Sequence, residues 1–423
     1  MDFKIRKSFL KDNGIILYLC VYFTTKLLWD SIPYFFELLS IGIVVYGAAR
    51  CLIKINCKRT IFVFVYVLLS FYIIINGIFQ DSTKQLIRAL YEYIFYSFIF
   101  WATLFYGKKT QVKDISLVVC KIGLIVCFLS WIEYFFHCYL IPNSIEYANY
   151  LGFRSIVFSR TFLAHGMVLA FFSLLDIYMF LSYKSKKFLM CGAFSFLTIL
   201  STGSRGPLVA CFLGILVMII MNDYANKGLT PKRLSAFIAS IVGVVLIWIL
   251  LTSDFQVSNP TANYFLNRVR SILDWKNDSG NTGRIVIWNY YLNIAKEHYW
   301  FGIGPSQTGS WNLGGLYGVT ESGILKRFCE LGIVGLVLHY SFVIGIIFHG
   351  VRCYKKGHGF DRDLIFYFGL FVAVFVDDII LQATEEIIVA FLMWFALAGI
   401  ENTTYRVFVR KMNNVPVRYN KYR

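Results

Sequence analysis

Charge is what this chain has least of. Only 15% of its 423 residues are charged, against about a quarter in an ordinary soluble domain. Acidic residues are the scarcer sign, 24 against 41 basic ones. With 58% of residues hydrophobic and 18% aromatic, this shortage excludes a soluble globular enzyme and points to an integral membrane protein. Also missing are a Walker motif, a dinucleotide fingerprint, an HExxH helix and any Cys/His metal pattern. Those gaps argue against a nucleotide-driven pump and a metalloenzyme. No small-residue cleavage site follows the first apolar run, so the N-terminus reads as an uncleaved helix rather than a signal peptide. The ten cysteines lie mostly in or beside apolar runs without metal-ligand spacing. They are expected to be free thiols acting as small apolar residues.

Apolar runs are plentiful. A bilayer span needs roughly twenty residues, and runs of about that size fall at 15–28, 35–53, 61–79, 86–106, 115–136, 161–183, 188–200, 207–221, 234–251, 333–351, 364–381 and 387–400. The expected fold is an all-α polytopic membrane protein, a single transmembrane domain over 1–423 with about twelve spans by that criterion. Lys/Arg clusters occupy every second connection, which the positive-inside rule makes cytoplasmic. Both termini are then cytoplasmic, and loops 138–160 and 253–322 face the periplasm, the latter as a large loop with short helices. The net charge of +17 is mostly topological, set beside anionic lipid, so no nucleic-acid partner is assigned.

The loop from Ser253 to Glu321 is the longest part that is not a hydrophobic run, and loops of that size are usually functional. A helical run, Tyr264 to Trp275, carries Arg268 and Arg270. Asn281 or Thr282 is expected to cap a second helix, with Arg284 in its first turn and Ile285, Trp288, Leu292 and Ala295 along one face. Gly302 and Gly304 mark a tight, close-approach turn. Thr320 is positioned to cap the returning helix, leaving Glu321 toward water.

Two other periplasmic connections carry unexplained arginines. The turn Ser201-Thr202-Gly203-Ser204-Arg205-Gly206-Pro207 places Arg205 at a helix start, where free N–H groups favour an anion and a guanidinium adds a bidentate phosphate clamp. The segment Phe153–Gly166 holds Arg154, Arg160 and His165. A lone arginine here would be taken as snorkelling to lipid headgroups, but several of them point to an anionic ligand. By position alone, Glu321 is a solvated residue complementing a helix dipole, and His165 a hydrogen-bonded polar group at a membrane edge. Asp377, Asp378, Glu385 and Glu386 read as a solvated turn or as partners of the arginines.

The order Ser204-Arg205-Gly206, Thr282-Gly283-Arg284 with Trp288, Gly302-Ile303-Gly304-Pro305 and Glu330-Leu331-Gly332 resembles the O-antigen ligase and polymerase superfamily. Its members are multi-span C-type glycosyltransferases acting on undecaprenyl-diphosphate-linked glycans. The similarity is firmest from Ser201 to Gly335. Ligases of the family typically have His-Asn at the end of the large loop, where this chain has Glu321-Ser322, and that departure tilts the resemblance toward the Wzy-type polymerase branch. The resemblance implies an enzyme of the bacterial inner membrane with a periplasmic active site. Undecaprenyl-diphosphate-linked glycan would be both donor and acceptor, with membrane lipid and a chain-length regulator protein as partners. It assigns catalysis to Glu321, Arg284 and Arg205. Arg154, Arg160, Ser204, His165, Arg268, Arg270, Gly302 and Gly304 become substrate-binding candidates, with no metal or cofactor and an inverting displacement. The alternatives are a ligase passing glycan to lipid A-core and a lipid-linked oligosaccharide flippase.

Overall fold

The computed structural model describes residues 34–53, 60–79, 83–107, 111–140, 153–157, 159, 161–225, 279–309, 317–355 and 362–412. Among these every regular element is helical. In chain order they are α1 (Tyr34–Ile53), α2 (Thr60–Ile78), α3 (Thr83–Ala89) running through a π-turn (Leu90–Phe95) into α4 (Tyr96–Tyr106), α5 (Val112–Phe136), α6 (Phe162–Tyr183), α7 (Lys186–Thr198), α8 (Arg205–Ala225), α9 (Ser279–Glu297), α10 (Gly323–Lys355), α11 (Asp363–Leu381) and α12 (Ile387–Met412).

Six described helices are long and apolar enough to cross a membrane: those at Ser116–Phe136, Phe162–Tyr183, Arg205–Asp223, Gly323–Tyr354, Asp363–Leu381 and Ile387–Phe408. This is fewer than the roughly twelve expected from the run lengths. The expected spans 15–28 and 234–251 lie outside the described residues. Helices α1 and α2 fall on the expected runs 35–53 and 61–79, as helices of 20 and 19 residues. The run from 86 to 106 changes helix type at the π-turn, and α7 passes into a 3-10 turn at Ile199–Thr202.

Spans α6 and α12 form the centre, with 89% and 94% of their apolar windows buried. The core there is aromatic: Phe100, Trp101, Phe342 and Trp394 meet at centroid separations of 4.9–6.4 Å, within the range where rings attract edge to face. Helix α8 runs along α11 at close range, since a Cβ on Gly214 would stand 2.7 Å from the Gly369 carbonyl.

The feature that positions the site is a break in α10. Gly332 has φ 62° and ψ −172°, so the helix stops and restarts, and the backbone groups released there need other partners. The chain from Tyr299 to Gly304 supplies them. Ile303 N–H donates to the Cys329 carbonyl (2.8 Å), Gly304 N–H to that of Glu330 (2.9 Å), and Ile333 N–H to that of Tyr299 (2.8 Å). Tyr72 of α2 donates to the Leu331 carbonyl at 2.5 Å, and Asn76 to that of Phe301 at 2.7 Å. Gly302 sits at φ +74°, and any Cβ there would collide with the Glu330 backbone.

Replacing Gly302 by Ala should therefore cost about 1–2 kcal/mol for a left-handed residue and a further 1–3 kcal/mol, roughly, for overpacking. Gly283→Ala, with nothing within 4 Å of the new methyl, should be neutral or stabilise by up to about 1 kcal/mol. Thermal unfolding of the detergent-purified protein checks both: a lowered midpoint is expected for the first and not for the second.

Candidate functional site

Three chain segments meet where α8 begins. Glu133, buried in the last turn of α5, accepts the N–H groups of Ile156 (2.9 Å) and Val157 (2.7 Å) and the Ser155 hydroxyl (3.2 Å). This fixes the segment that carries Arg154. Ser155 N–H donates to the Ser201 carbonyl at 3.0 Å, which lays that segment on the Ser201–Ser204 turn. Gly203 has φ +61°, and a Cβ there would lie 3.4 Å from Arg154 Nε. The Arg154 guanidinium stands over the Phe162 ring at 4.2 Å. Ser204 is buried, its N–H on Thr202 Oγ1, and Arg205 opens α8 as the sequence predicts. His165 lies deeper, fully enclosed between the hydroxyls of Ser130 (2.8 Å from Nε2) and Ser159 (3.4 Å from Nδ1).

Helix α11 brings Asp377 to the same place. Its carboxylate is fully buried, neither oxygen has a hydrogen-bond partner among the described residues, and a Cβ on Gly206 would stand 2.5 Å from Oδ1. Asp377 also lies within electrostatic reach of Arg284. The solvated-turn reading of Asp377 and Asp378 is thus corrected, because both are buried.

Arg284 Nε in turn meets Glu321 Oε2 at 3.3 Å, with the two side chains 30% and 32% exposed. An ion pair that open contributes about 0–1 kcal/mol, so the guanidinium can exchange partners at little cost. Glu321 itself has φ 54°, an uncommon conformation for a residue with a side chain. Trp288 Nε1 holds it there by donating to its carbonyl at 3.0 Å. Nearby, the buried Tyr291 hydroxyl donates to the Gly318 carbonyl at 2.7 Å. Burial, and next the neighbouring Tyr290, push its pKa up to about 12, so it stays a donor at ordinary pH.

Three local expectations need correction. Helix α9 begins at Ser279, so Arg284 lies in its second turn, beyond the reach of the helix-end field. Its buried face is Ile287, Trp288, Tyr291, Ile294 and Ala295, packed on Leu325 and Cys329, while Leu292 is exposed. Thr320 does not cap α10. It is buried, its N–H donates to Gln382 Oε1 at 3.0 Å, and its single hydroxyl proton lies between Gln382 Oε1 and the Ser322 carbonyl.

A second polar cluster stands behind this group. Glu330, fully buried, accepts the N–H groups of Ser306 and Thr308 (both 2.9 Å), the Thr308 hydroxyl (2.7 Å) and the Tyr93 hydroxyl. Lys326 Nζ lies 3.0 Å from Glu92, 3.4 Å from Glu385 and 3.9 Å from Glu330, and Arg88 bridges Glu92 (2.6 Å) and Glu385 (2.7 Å). Arg327 NH1 pairs with Asp378 at 2.7 Å. Gly302 and Gly304 serve this cluster by seating the loop that delivers Ser306 and Thr308. The sequence held a signal for it, since Arg88 and Glu92 are oppositely charged, four apart and inside an apolar run, and such residues are rarely without function in a membrane. Arg160, Arg268 and Arg270 lie outside the described residues. Among the described residues no group of His, Cys, Asp and Glu is placed to hold a metal ion.

The segment 190–340 matches the family model described as O-Antigen ligase. That match covers the Arg205 turn, α9, the Gly302 turn and Glu321, and over that segment the chain is similar to the O-antigen ligase family. No curated protein matches the sequence.

The two clusters should respond differently to mutation. Arg327→Met leaves Asp378 buried and uncompensated, a loss of about 3–5 kcal/mol. Arg284→Ala opens only the half-exposed pair, at most about 1 kcal/mol. Unfolding midpoints that rank the variants in this order check that the fold depends on the Arg327–Asp378 pair and not on the Arg284–Glu321 pair.

Proposed function

We propose that this chain is an inner-membrane glycosyltransferase that joins undecaprenyl-diphosphate-linked oligosaccharide repeat units into O-antigen or capsular polysaccharide at the periplasmic face. The observation that carries the reading is that Arg205 opens α8 directly after the turn that Arg154 lies against, while Asp377, packed on Gly206 one residue on, is within electrostatic reach of Arg284, itself loosely paired with Glu321. Arginines at such a place fit a diphosphate bidentately.

In this reading the growing chain on its carrier is the donor and one lipid-linked repeat unit the acceptor. An acceptor hydroxyl attacks the anomeric carbon, the bond from that carbon to the diphosphate oxygen breaks, and undecaprenyl diphosphate leaves with the electron pair. The hydroxyl proton passes to Glu321, a transfer worth about 10² to 10⁴ in rate. Negative charge growing on the leaving group is met by Arg205 and Arg284, with Arg154 in support, the kind of preorganised stabilisation that usually dominates. Direct displacement inverts the anomeric centre. With arginines supplying the positive charge, the reading calls for no metal ion.

The second reading is a ligase, favoured by the description of the matching family model. Glu321 in place of a histidine supports the polymerase instead.

Deletion of the gene, followed by electrophoresis of the surface glycolipid, separates the two. Core carrying a single repeat unit is expected, restored by the wild-type gene and not by Arg284→Ala. Core without any repeat, with long chains held on the carrier, would establish the ligase. Glu321→Gln should abolish polymer at unchanged protein level, and near-normal chains from it would remove Glu321 from the mechanism.

A further inference from the structure

Beside the arginine group, and separated from it by Gly323, Arg327 and Asp378, a polar pocket opens between the π-turn after α3, the start of α10 and the start of α12. We propose that this pocket is a saccharide subsite that takes one uncharged sugar ring of the acceptor repeat unit. The assignment rests on the polymerase reading above and adds to it where the acceptor is held.

Charge balance selects the ligand class. Glu92 and Glu385 line the pocket together with Lys326 and Arg327, two acids against two bases, so the lining carries no net charge to recruit an ion. An apolar ligand is disfavoured as well, because it would strip water from four charged groups and return no hydrogen bonds. A neutral polyhydroxyl compound offers donors and acceptors together.

The second observation is independent of that cluster. His339 lines the pocket and is only 6% exposed. Among the described residues it makes ring contacts with Tyr340 (5.1 Å between centroids) and Trp394 (6.1 Å), lies within electrostatic reach of Arg327 and has no hydrogen bond. Buried polar groups are ordinarily satisfied, so this imidazole is missing a partner that a sugar hydroxyl on the pocket side can supply. Trp394 forms part of the same wall, and the mix of aromatic surface with a few polar groups is that of small-molecule sites. The π-turn that brings Glu92 to the pocket is itself a distortion found frequently at functional sites.

The pocket also lies where an acceptor must lie. Arg327 lines it and bonds to Asp378, whose neighbour Asp377 abuts Gly206 at the start of α8. A sugar held here therefore stands across one side-chain wall from the proposed diphosphate group.

The test uses the full chain purified in detergent. The probe is the oligosaccharide freed by mild acid from the lipid-linked repeat units of cells lacking the gene, titrated by calorimetry. Wild type and Gly283→Ala should bind it alike. His339→Ala should weaken binding at least tenfold, and Ala390→Met, which narrows the pocket without removing a charge, should do the same in a protein that still unfolds cooperatively, its midpoint lowered by overpacking at so buried a residue. No binding by wild type, or equal binding by both pocket variants, overturns the subsite. Failure of the underlying reading shows elsewhere: a deletion strain whose glycolipid pattern is not core plus one unit removes the polymerase, whereas that pattern with unaffected pocket variants removes the subsite alone.

Discussion

The Glu330 carboxylate is the interaction on which this end of the molecule depends. It sits fully buried just before the break in α10 and accepts two backbone N–H groups and two hydroxyls. A carboxylate buried in such a place is costly unless its oxygens are satisfied, and satisfying them requires the Ser306–Thr308 loop to close over it. Closure in turn requires the chain at Gly302 to lie against the α10 backbone, which only glycine permits there. Break, loop and carboxylate therefore specify one another.

From that anchor the rest of the site follows in two directions. Toward α9, the packing of Tyr291 and Ala295 on Leu325 and Cys329 sets where Arg284 stands, and Trp288 then fixes Glu321 in its left-handed conformation. Toward α3 and α12, Lys326 gathers Glu92 and Glu385 and walls the polar pocket. The contrast in exposure separates the roles. The buried network is rigid because breaking any pair strands a charge, whereas the Arg284–Glu321 pair is open enough to be displaced by a ligand.

Much of this was legible wherever the signal was local. Gly-Pro punctuation placed Arg205 at a helix start, and the glycine spacing at 302 and 304 announced a close approach. What failed was anything decided by tertiary contact. The Thr282 cap gave way because α9 extends back to Ser279, which moved Arg284 off the helix end. The face of α9 was misassigned at Leu292 because its neighbour α10 covers Tyr291 and Ile294 instead. The Glu92–Lys326 pair spans 234 residues, and nothing in either local sequence names the other.

The central claim is that the arginines at the start of α8 and on α9 form a diphosphate site. It is tested most directly by native mass spectrometry of the purified chain with undecaprenyl diphosphate and with undecaprenol. The account predicts that the diphosphate is retained far better than the alcohol, and that the preference disappears in an Arg205→Ala, Arg284→Ala double variant. Equal retention of both lipids by the wild-type protein would contradict it.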